Sequence, residues 1–410
     1  MLVRPTKIIK ERVLKLCFTT LSVARAVFVG AAALFAVWAS AADEGESFHR
    51  FWPDNLFAVD FVSEQTGYIA GQGGTVLRTT DGGEQWDALY VGKNELIRRL
   101  DFVSDTEGWA IGHRGSIFHT SDAGLSWEIQ FETPGTYLRD VAFVDKNHGW
   151  VVGHDATILH TADGGVSWKK QKMLGFTGRD LPRLHGVYAK DKNTAVIVGE
   201  FGTVVHTENG GELWLLTPSD IGVTWLAVSG QGGLIYTVGA DGTAAYLALA
   251  TDAQRKEIDR ETAEVAVKKE LKARKKAKRR KKEFVAKMVE ALPRADIEYI
   301  VNPIDTGTEE HLFDLTALSD GSALVVGRST VLKVSVNGAE PLSPAIDVPL
   351  GFVWMGGVSV APSGTFWAVG IRGMVVKGDT TTLQFATAFN LASSDNITLI
   401  SNQWTERNGQ

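Results

Sequence analysis

Three observations predict an all-β chain, a seven-bladed β-propeller of four-stranded antiparallel blades. One short turn recurs four times, as "TTDGGEQW" from Thr79, "TSDAGLSW" from Thr120, "TADGGVSW" from Thr161 and "TENGGELW" from Thr207. Around it a longer unit recurs seven times, its second apolar segment closing on Gly71, Gly112, Gly153, Gly199, Gly239, Gly327 and Gly370. These glycines stand 41, 41, 46, 40, 88 and 43 residues apart, which matches the length of a propeller blade once the 88 is read as one unit plus an insertion. The composition agrees: 43 Gly and 12 Trp in 410 residues supply many tight turns and repeated aromatic packing positions.

Each unit divides into four strand-length segments. In the copy "LDFVSDTEGWAIGHRGSIFHTSDAGLSWEIQ" from Leu100 these are "RLDFV", "GWAIG", "SIFHT" and "SWEIQ", joined by "SDTE", "HR" and "SDAG". Such punctuation reads as an antiparallel meander, and helical periodicity is absent. Strong copies also begin at Val59, Val141 and Gly186; weaker ones, without the acidic turn, begin at Trp225, Leu315 and Gly357. Radial closure of seven such meanders buries both faces of every blade.

Before the repeats comes a different kind of text. "MLVRPTKIIKERVLK" is basic, "AVFVGAAALFAVW" is apolar, and "ASA" at Ala39–Ala41 supplies small residues. That order predicts an export signal over 1–41; the apolar run is short for a membrane span. The sole cysteine, Cys17, falls inside it, so the exported protein is expected to carry no disulfide and no thiolate metal site. A cysteine-free exported chain points to a bacterial periplasm.

The repeated turn joins the third and fourth strands of its blade. Asp81, Asp122 and Asp163, and Asn209 in the fourth copy, are placed to accept backbone N–H groups of the turn. The glycines after them tolerate positive φ. Trp86, Trp127, Trp168 and Trp214 are placed to pack between blades. The stretch resembles the Asp-box, or BNR, repeat of sialidases and many non-enzymatic propellers. A residue present in every strong blade cannot mark a single active site, so these eight positions are expected to be structural.

No catalytic residue, metal ligand set or cofactor motif emerges. Sialidase chemistry needs an arginine cluster, an acid/base carboxylate and an activated tyrosine, and none of the seven tyrosines sits in such a context. No phosphate loop, "HExxH" or nucleophile elbow occurs. One end of the propeller does collect cations. The loops between second and third strands bring Arg114 and Arg372 there, beside His113 and His154. Arg98, Arg99, Arg139 and Arg183 precede or enter innermost strands and are expected to ring the channel mouth. A positive ring on an acidic body attracts a carboxylate- or phosphate-bearing partner.

Copies of the form V-x-F … G-W-x-x-G-x-x-G-x-I-x-x-T-x-D-G-G-x-x-W look like the photosystem II stability and assembly factor family and its bacterial relatives outside photosynthesis. The resemblance covers roughly 57–389. It implies a seven-bladed, non-catalytic propeller on the lumenal or periplasmic side of a membrane, helping a membrane-protein complex assemble. In photosynthetic members an arginine patch is linked to partner binding; the matching positions here are Arg98, Arg99, Arg139 and Arg183, with Arg114 beside them. Three departures point to a non-photosynthetic bacterial relative: no lipoprotein cysteine, no acidic turn in the last three blades, and a large insertion.

That insertion, 252–296, separates blades 1–5 (42–251) from blades 6–7 and ring closure (297–410). "DAQRKEIDRETAEVAVKKELKARKKAKRRKKEFVAKMVEAL" has no Gly or Pro and is built from helix formers. Pro293 ends it. The expectation is a long basic helix, or a helical hairpin, between blades 5 and 6. Its centre, "KKELKARKKAKRRKK", holds 11 Lys or Arg in 15 residues, among them Lys275, Lys276, Lys278, Arg279, Arg280, Lys281 and Lys282. The chain totals −6, yet the leader carries +5 and residues 251–300 carry +6, which leaves −17 on the rest. Behind an export signal such an arm suits anionic lipid headgroups or an acidic protein rather than nucleic acid. The function expected is a periplasmic scaffold or assembly factor for a membrane-protein complex or transporter subunit. A sialidase-like propeller that hydrolyses or binds glycans is the competing class.

Overall fold

A computed structural model of the chain describes residues 55–173, 181–217, 219–252, 254–255, 299–344, 351, 353–390 and 397–399. They form seven antiparallel sheets, each a meander of four consecutive strands. The innermost strands are Leu56–Phe61, Ile97–Phe102, Leu138–Phe143, Leu184–Ala189, Trp225–Gln231, Leu312–Ala317 and Met355–Val360. The leader expected over 1–41 and the "SFHRFW" segment lie outside the described residues. Among the described residues no helix is long and apolar enough to cross a membrane.

The core sits in the seams between blades. In the strong repeats the aromatic residue of "GW" or "GY" packs on the Phe that ends the next blade's innermost strand. Tyr68 stacks on Phe102 with centroids 3.6 Å apart, and Trp109 on Phe143 at 3.5 Å. Trp367 of the last blade does the same to Phe61 at 5.0 Å and so closes the ring. The Trp of the acidic turn meets that same Phe edge-on, as in Phe102–Trp127 and Phe143–Trp168, both 6.0 Å. The glycine before each aromatic makes room for the Phe of its own blade, which the preceding blade stacks on: a Cβ on Gly108 would lie 2.3 Å from the Phe102 ring.

The acidic turn works as a clip. Asp122 Oδ1 accepts the N–H of Ser126 at 2.8 Å and Oδ2 its hydroxyl at 2.6 Å; Asp163 holds Ser167 in the same way. These bonds hold the Asp163 carboxyl down at about 2. The turn's second glycine is the floor on which the preceding blade rests. Gln130 Nε2 donates to Gly164 O at 2.9 Å, and its amide would collide with a Cβ on Gly165. Gln171 repeats this one blade on, donating to Gly210 O at 2.7 Å.

Two expectations change, and the strand that completes the first blade, left open by the sequence, becomes visible. The insertion does not lie between blades 5 and 6. Ala244–Leu249 and Tyr299–Ile304 pair in one sheet, so the basic arm interrupts blade 5 between its third and fourth strands, where the acidic turn stands elsewhere. The helix expected over 252–292 falls almost wholly outside the described residues. Only its start is described: Thr251 and Gln254 form a reciprocal capping box, and the Arg255 N–H bonds Thr251 O at 2.9 Å. Second, blade 7 keeps an acidic turn under another spelling. In "GDTTTLQF" Asp379 Oδ1 accepts the N–H groups of Thr381 and Thr382 at 2.8 and 2.7 Å. Ring closure does not mix strands within a blade. Ile397–Leu399, from "NITLISNQW", adds to blade 1 as a fifth strand parallel to Trp86–Tyr90.

The register glycines have one physical reason. The carbonyl preceding each innermost strand presses on them: a Cβ would lie 2.4 Å from Tyr137 O at Gly153, 2.4 Å from Arg183 O at Gly199 and 2.0 Å from Trp354 O at Gly370. The same carbonyls accept the N–H of the next residue, as in His154 N to Tyr137 O, 2.9 Å. Gly153→Ala is therefore expected to cost about 2 kcal/mol or more. Gly222→Ala, where a Cβ meets nothing within 4 Å, is the control. Urea unfolding of both variants checks this; equal midpoints would refute it.

Candidate binding face at the channel mouth

Every innermost strand carries a β-bulge at its second residue, read from the register shift against its neighbour. The bulged residues are Phe57, Arg98, Arg139, His185, Leu226, Phe313 and Gly356. A bulge bends its strand and re-aims a side chain; here it does so seven times at one end of the channel. Six of the seven side chains are half-buried, and the seventh residue is glycine. Among the described residues no group of three or more His, Cys, Asp or Glu is placed to hold a metal.

The third residue of the strand lines the channel in blades 1, 2, 3 and 6, as Ala58, Arg99, Asp140 and Asp314. Arg99 therefore leaves the expected ring: it is buried and reaches across from blade 2 to blade 6. Its guanidinium bonds both oxygens of Asp314, at 2.9 and 2.7 Å, and lies 3.5 Å from Asp140 of blade 3. Burial opposes its charge, but Asp314 and Asp140 outweigh burial and raise its pKa. The carboxylates in turn accept backbone N–H groups of the next blade: Asp314 from Val358 at 2.9 Å, Asp140 from Val187 at 2.8 Å. Asp60 accepts from Phe102 at 2.8 Å, and Asp101 from Phe143. Ser229 and Ser359 do the same for Ala317 and Phe61. These groups line a cavity of about 390 Å³.

Arg98 and Arg139 remain at the mouth. Arg98 lies over the Phe57 ring, 5.4 Å from its centroid, and its buried Nε has no hydrogen-bond partner. Burial first, then Arg99 and Arg139, push its pKa down to about 9. Arg139 Nε donates to His154 Nε2 at 3.1 Å, which leaves that histidine's proton on Nδ1. His185 is held at about 3 by burial and by Arg139. Tyr137, 45% exposed, lies between His113 and His154 with centroids 4.6 and 5.1 Å away. Arg183 and Arg114 are exposed; the former pairs with Glu200 at 3.4 Å. Arg372 is exposed in the left-handed region at φ 56°, its N–H bonded to Asn55.

The aromatic side of the mouth was not anticipated. Phe57 packs on Trp354 at 5.4 Å, and Trp354 on Phe313 at 6.3 Å. Its signal in the sequence was positional rather than chemical: the second residue of each innermost strand, whatever its type.

The profile of the family described as "Photosynthesis system II assembly factor YCF48" matches residues 52–136 and 129–220. Among solved structures, YCF48 from Cyanidioschyzon merolae matches at 15% identity and a TM-score of 0.56, over 80% of this chain and 97% of that one. The profile match spans the first four blades, and the likeness to the solved structure extends over the whole propeller. A second structure, "YCF48 bound to D1 peptide", matches at 14% identity and a TM-score of 0.54, over 80% of this chain and 94% of that one. Outside the family, the GH74 xyloglucanase from Xanthomonas campestris matches at 12% identity and a TM-score of 0.55, over 82% of this chain and 55% of that enzyme. No curated protein matches the sequence.

The channel generates two predictions. Arg99→Met leaves Asp314 and Asp140 buried without their cation and is expected to cost about 3–5 kcal/mol. Asp314→Asn added to it should recover part of that loss, and a strictly additive double variant would refute the pairing. The second concerns pH. Burial lifts Asp60 and Asp140 to about 6 from 3.8, so the fold binds their protons better than the unfolded chain does. Their contribution to stability is complete below 3.8 and is lost as pH climbs through about 6. His185 acts oppositely, losing its contribution as pH falls below 6.5. Asp60→Asn separates the two: its urea midpoint relative to wild type should be higher at pH 7.5 than at pH 4.5. The same offset at both pH values would contradict it.

Proposed function

We propose that this chain is an exported, non-catalytic propeller serving as scaffold or assembly factor for a membrane-protein complex, in a bacterial relative outside photosynthesis. The observation that carries the reading is the mouth: half-buried Arg98 and Arg139 beside an aromatic flank, with no internal anion left for Arg98. YCF48, which shares the fold, has been captured with a D1 peptide, and that supports a membrane-protein client in general terms. The basic leader and its apolar run support export to a periplasm.

A glycan-hydrolysing reading rests on likeness to a GH74 enzyme of 12% identity, which speaks to fold alone. The channel carboxylates, the natural candidates for an acid and base, each accept a backbone N–H of the next blade. That is a structural duty.

The basic arm leaves blade 5 at the acidic-turn end, opposite the mouth. We read it as an electrostatic tether to anionic headgroups. Deleting 252–292 is expected to move the protein from the membrane fraction to the soluble fraction, most clearly at low salt. An unchanged distribution removes the tether. Crosslinking in native membranes tests the client: the scaffold reading requires a membrane-protein subunit joined to the mouth, and a yield of soluble proteins alone would defeat it.

A further inference from the structure

We infer that Phe313, Trp354, Phe57, Arg98 and Arg139 form one composite site for an extended protein segment that presents an aromatic side chain next to a carboxylate. This rests on the partner-binding reading above and says what that partner offers. The five side chains make a continuous arc over blades 6, 7, 1, 2 and 3. Phe313 to Trp354 is 6.3 Å, Trp354 to Phe57 5.4 Å, and Phe57 to the Arg98 guanidinium 5.4 Å. Gly356 makes the arc possible, because a Cβ there would lie 2.9 Å from the Trp354 ring. All five are half-buried, so each keeps a face for a ligand.

The cationic end has an unmet need. Arg98 makes no hydrogen bond or ion pair with any described residue, and its Nε is out of reach of water. The acids nearest to it, Asp314 and Asp140, are committed to Arg99 and to the N–H groups of Val358 and Val187. Arg139 adds a like charge, and its Nε is held by a neutral histidine nitrogen rather than by an acid. An incoming carboxylate offsets the repulsion between these guanidinium groups and accepts a charge-assisted bond where water is excluded.

The blade 5 and 6 side of the rim opposes a polyanion that covers the whole mouth. Asp241, Glu309 and Glu310 stand exposed on blades 5 and 6, and a nucleic acid or polyphosphate covering the mouth would meet them. A single carboxylate placed over blades 2 and 3, with its neighbouring ring on blades 6, 7 and 1, avoids them. An aromatic ring on Trp354 and Phe57 is worth about 0.5–1.5 kcal/mol beyond its area. Both halves of the arc therefore contribute to one affinity.

The test is fluorescence anisotropy of the full exported protein with a fluorescein-labelled peptide, Gly-Phe-Glu-Phe-Glu-Gly. Saturable binding is expected, weakened about ten-fold by Arg98→Gln and by Trp354→Ala. Replacing both peptide Phe residues with Ser should cost a similar factor. Lys192→Gln, exposed between the first and second strands of blade 4 at the opposite end of the propeller, should stay within about two-fold. Thermal melts accompany each variant. Should Arg98→Gln melt early, Arg139→Gln and the wild type's loss of affinity between 50 and 300 mM KCl decide instead, with about ~3-fold weakening required. Equal binding of the Phe and Ser peptides, or wild-type affinity in the arc variants, overturns the site. So does displacement of the peptide by a short oligonucleotide. A membrane client that stays bound to Arg98→Gln would leave the scaffold reading standing and sink only the arc. Peptide binding without any membrane client would do the reverse.

Discussion

An innermost propeller strand has one edge with no strand beside it, and its N–H groups there must be satisfied. This chain meets that demand with side chains from the preceding blade. Asp60, Asp101, Asp140, Ser229, Asp314 and Ser359 each reach forward to a backbone N–H across a seam. The fourth seam is the exception among the described residues: Gly186 draws the backbones together, so that a Cβ would sit 3.1 Å from Ala227 Cα. Using carboxylates as acceptors places four acids in one narrow channel. The buried guanidinium of Arg99 follows from that choice, because it neutralises where the acids crowd most. The raised carboxyl pKa values have the same cause. The acids stay because their oxygens are needed, and burial makes their charge expensive.

Much of this was legible before any coordinates. The acidic turn, the glycine that ends each second strand and the Phe–Gly–Trp spacing all follow fixed intervals, and each reports a contact that tolerates one residue type. Features that use different residues in each blade were not legible. The bulge occupies the same position seven times, yet it is filled by Phe, Arg, His, Leu or Gly, so residue identity carries no trace of it. Arg99 looked like Arg98, its neighbour; the bulge between them sends one to the mouth and the other inward. Its partner, Asp314, lies 215 residues away, beyond any local pattern. The insertion was assigned to a blade boundary because the strand that follows it, with Pro303 inside, does not read as a strand. An outermost strand tolerates proline because its outer edge needs no donor. In "GDTTTLQF" the turn kept its carboxylate and lost both glycines, so the motif vanished while its hydrogen bonds remained.

The two ends of the propeller are built from different economies of sequence. At the acidic-turn end one solution is copied from blade to blade, and its side chains face into the fold. At the mouth the bulged residue changes type around the ring, with Arg shared by blades 2 and 3 alone, which is what a surface specialised for another molecule requires. Blades 5 and 6 break the rule at the copied end. In blade 5 the clip has given way to the basic arm, and Tyr236 and Ser229 bond the neighbouring blade above a shared apolar seam. Tyr236 Oη donates to Gly321 O at 2.6 Å.

The last described strand, Ile397–Leu399, lies along the outer edge of the first blade in parallel register with Trp86–Ala88. During synthesis the opening meander is present long before its final neighbour arrives. A chain interrupted short of 397 would leave that rim bare to proteases and to other unfinished chains. The tail thus doubles as a completion seal: its docking certifies that all the intervening sheets have been delivered.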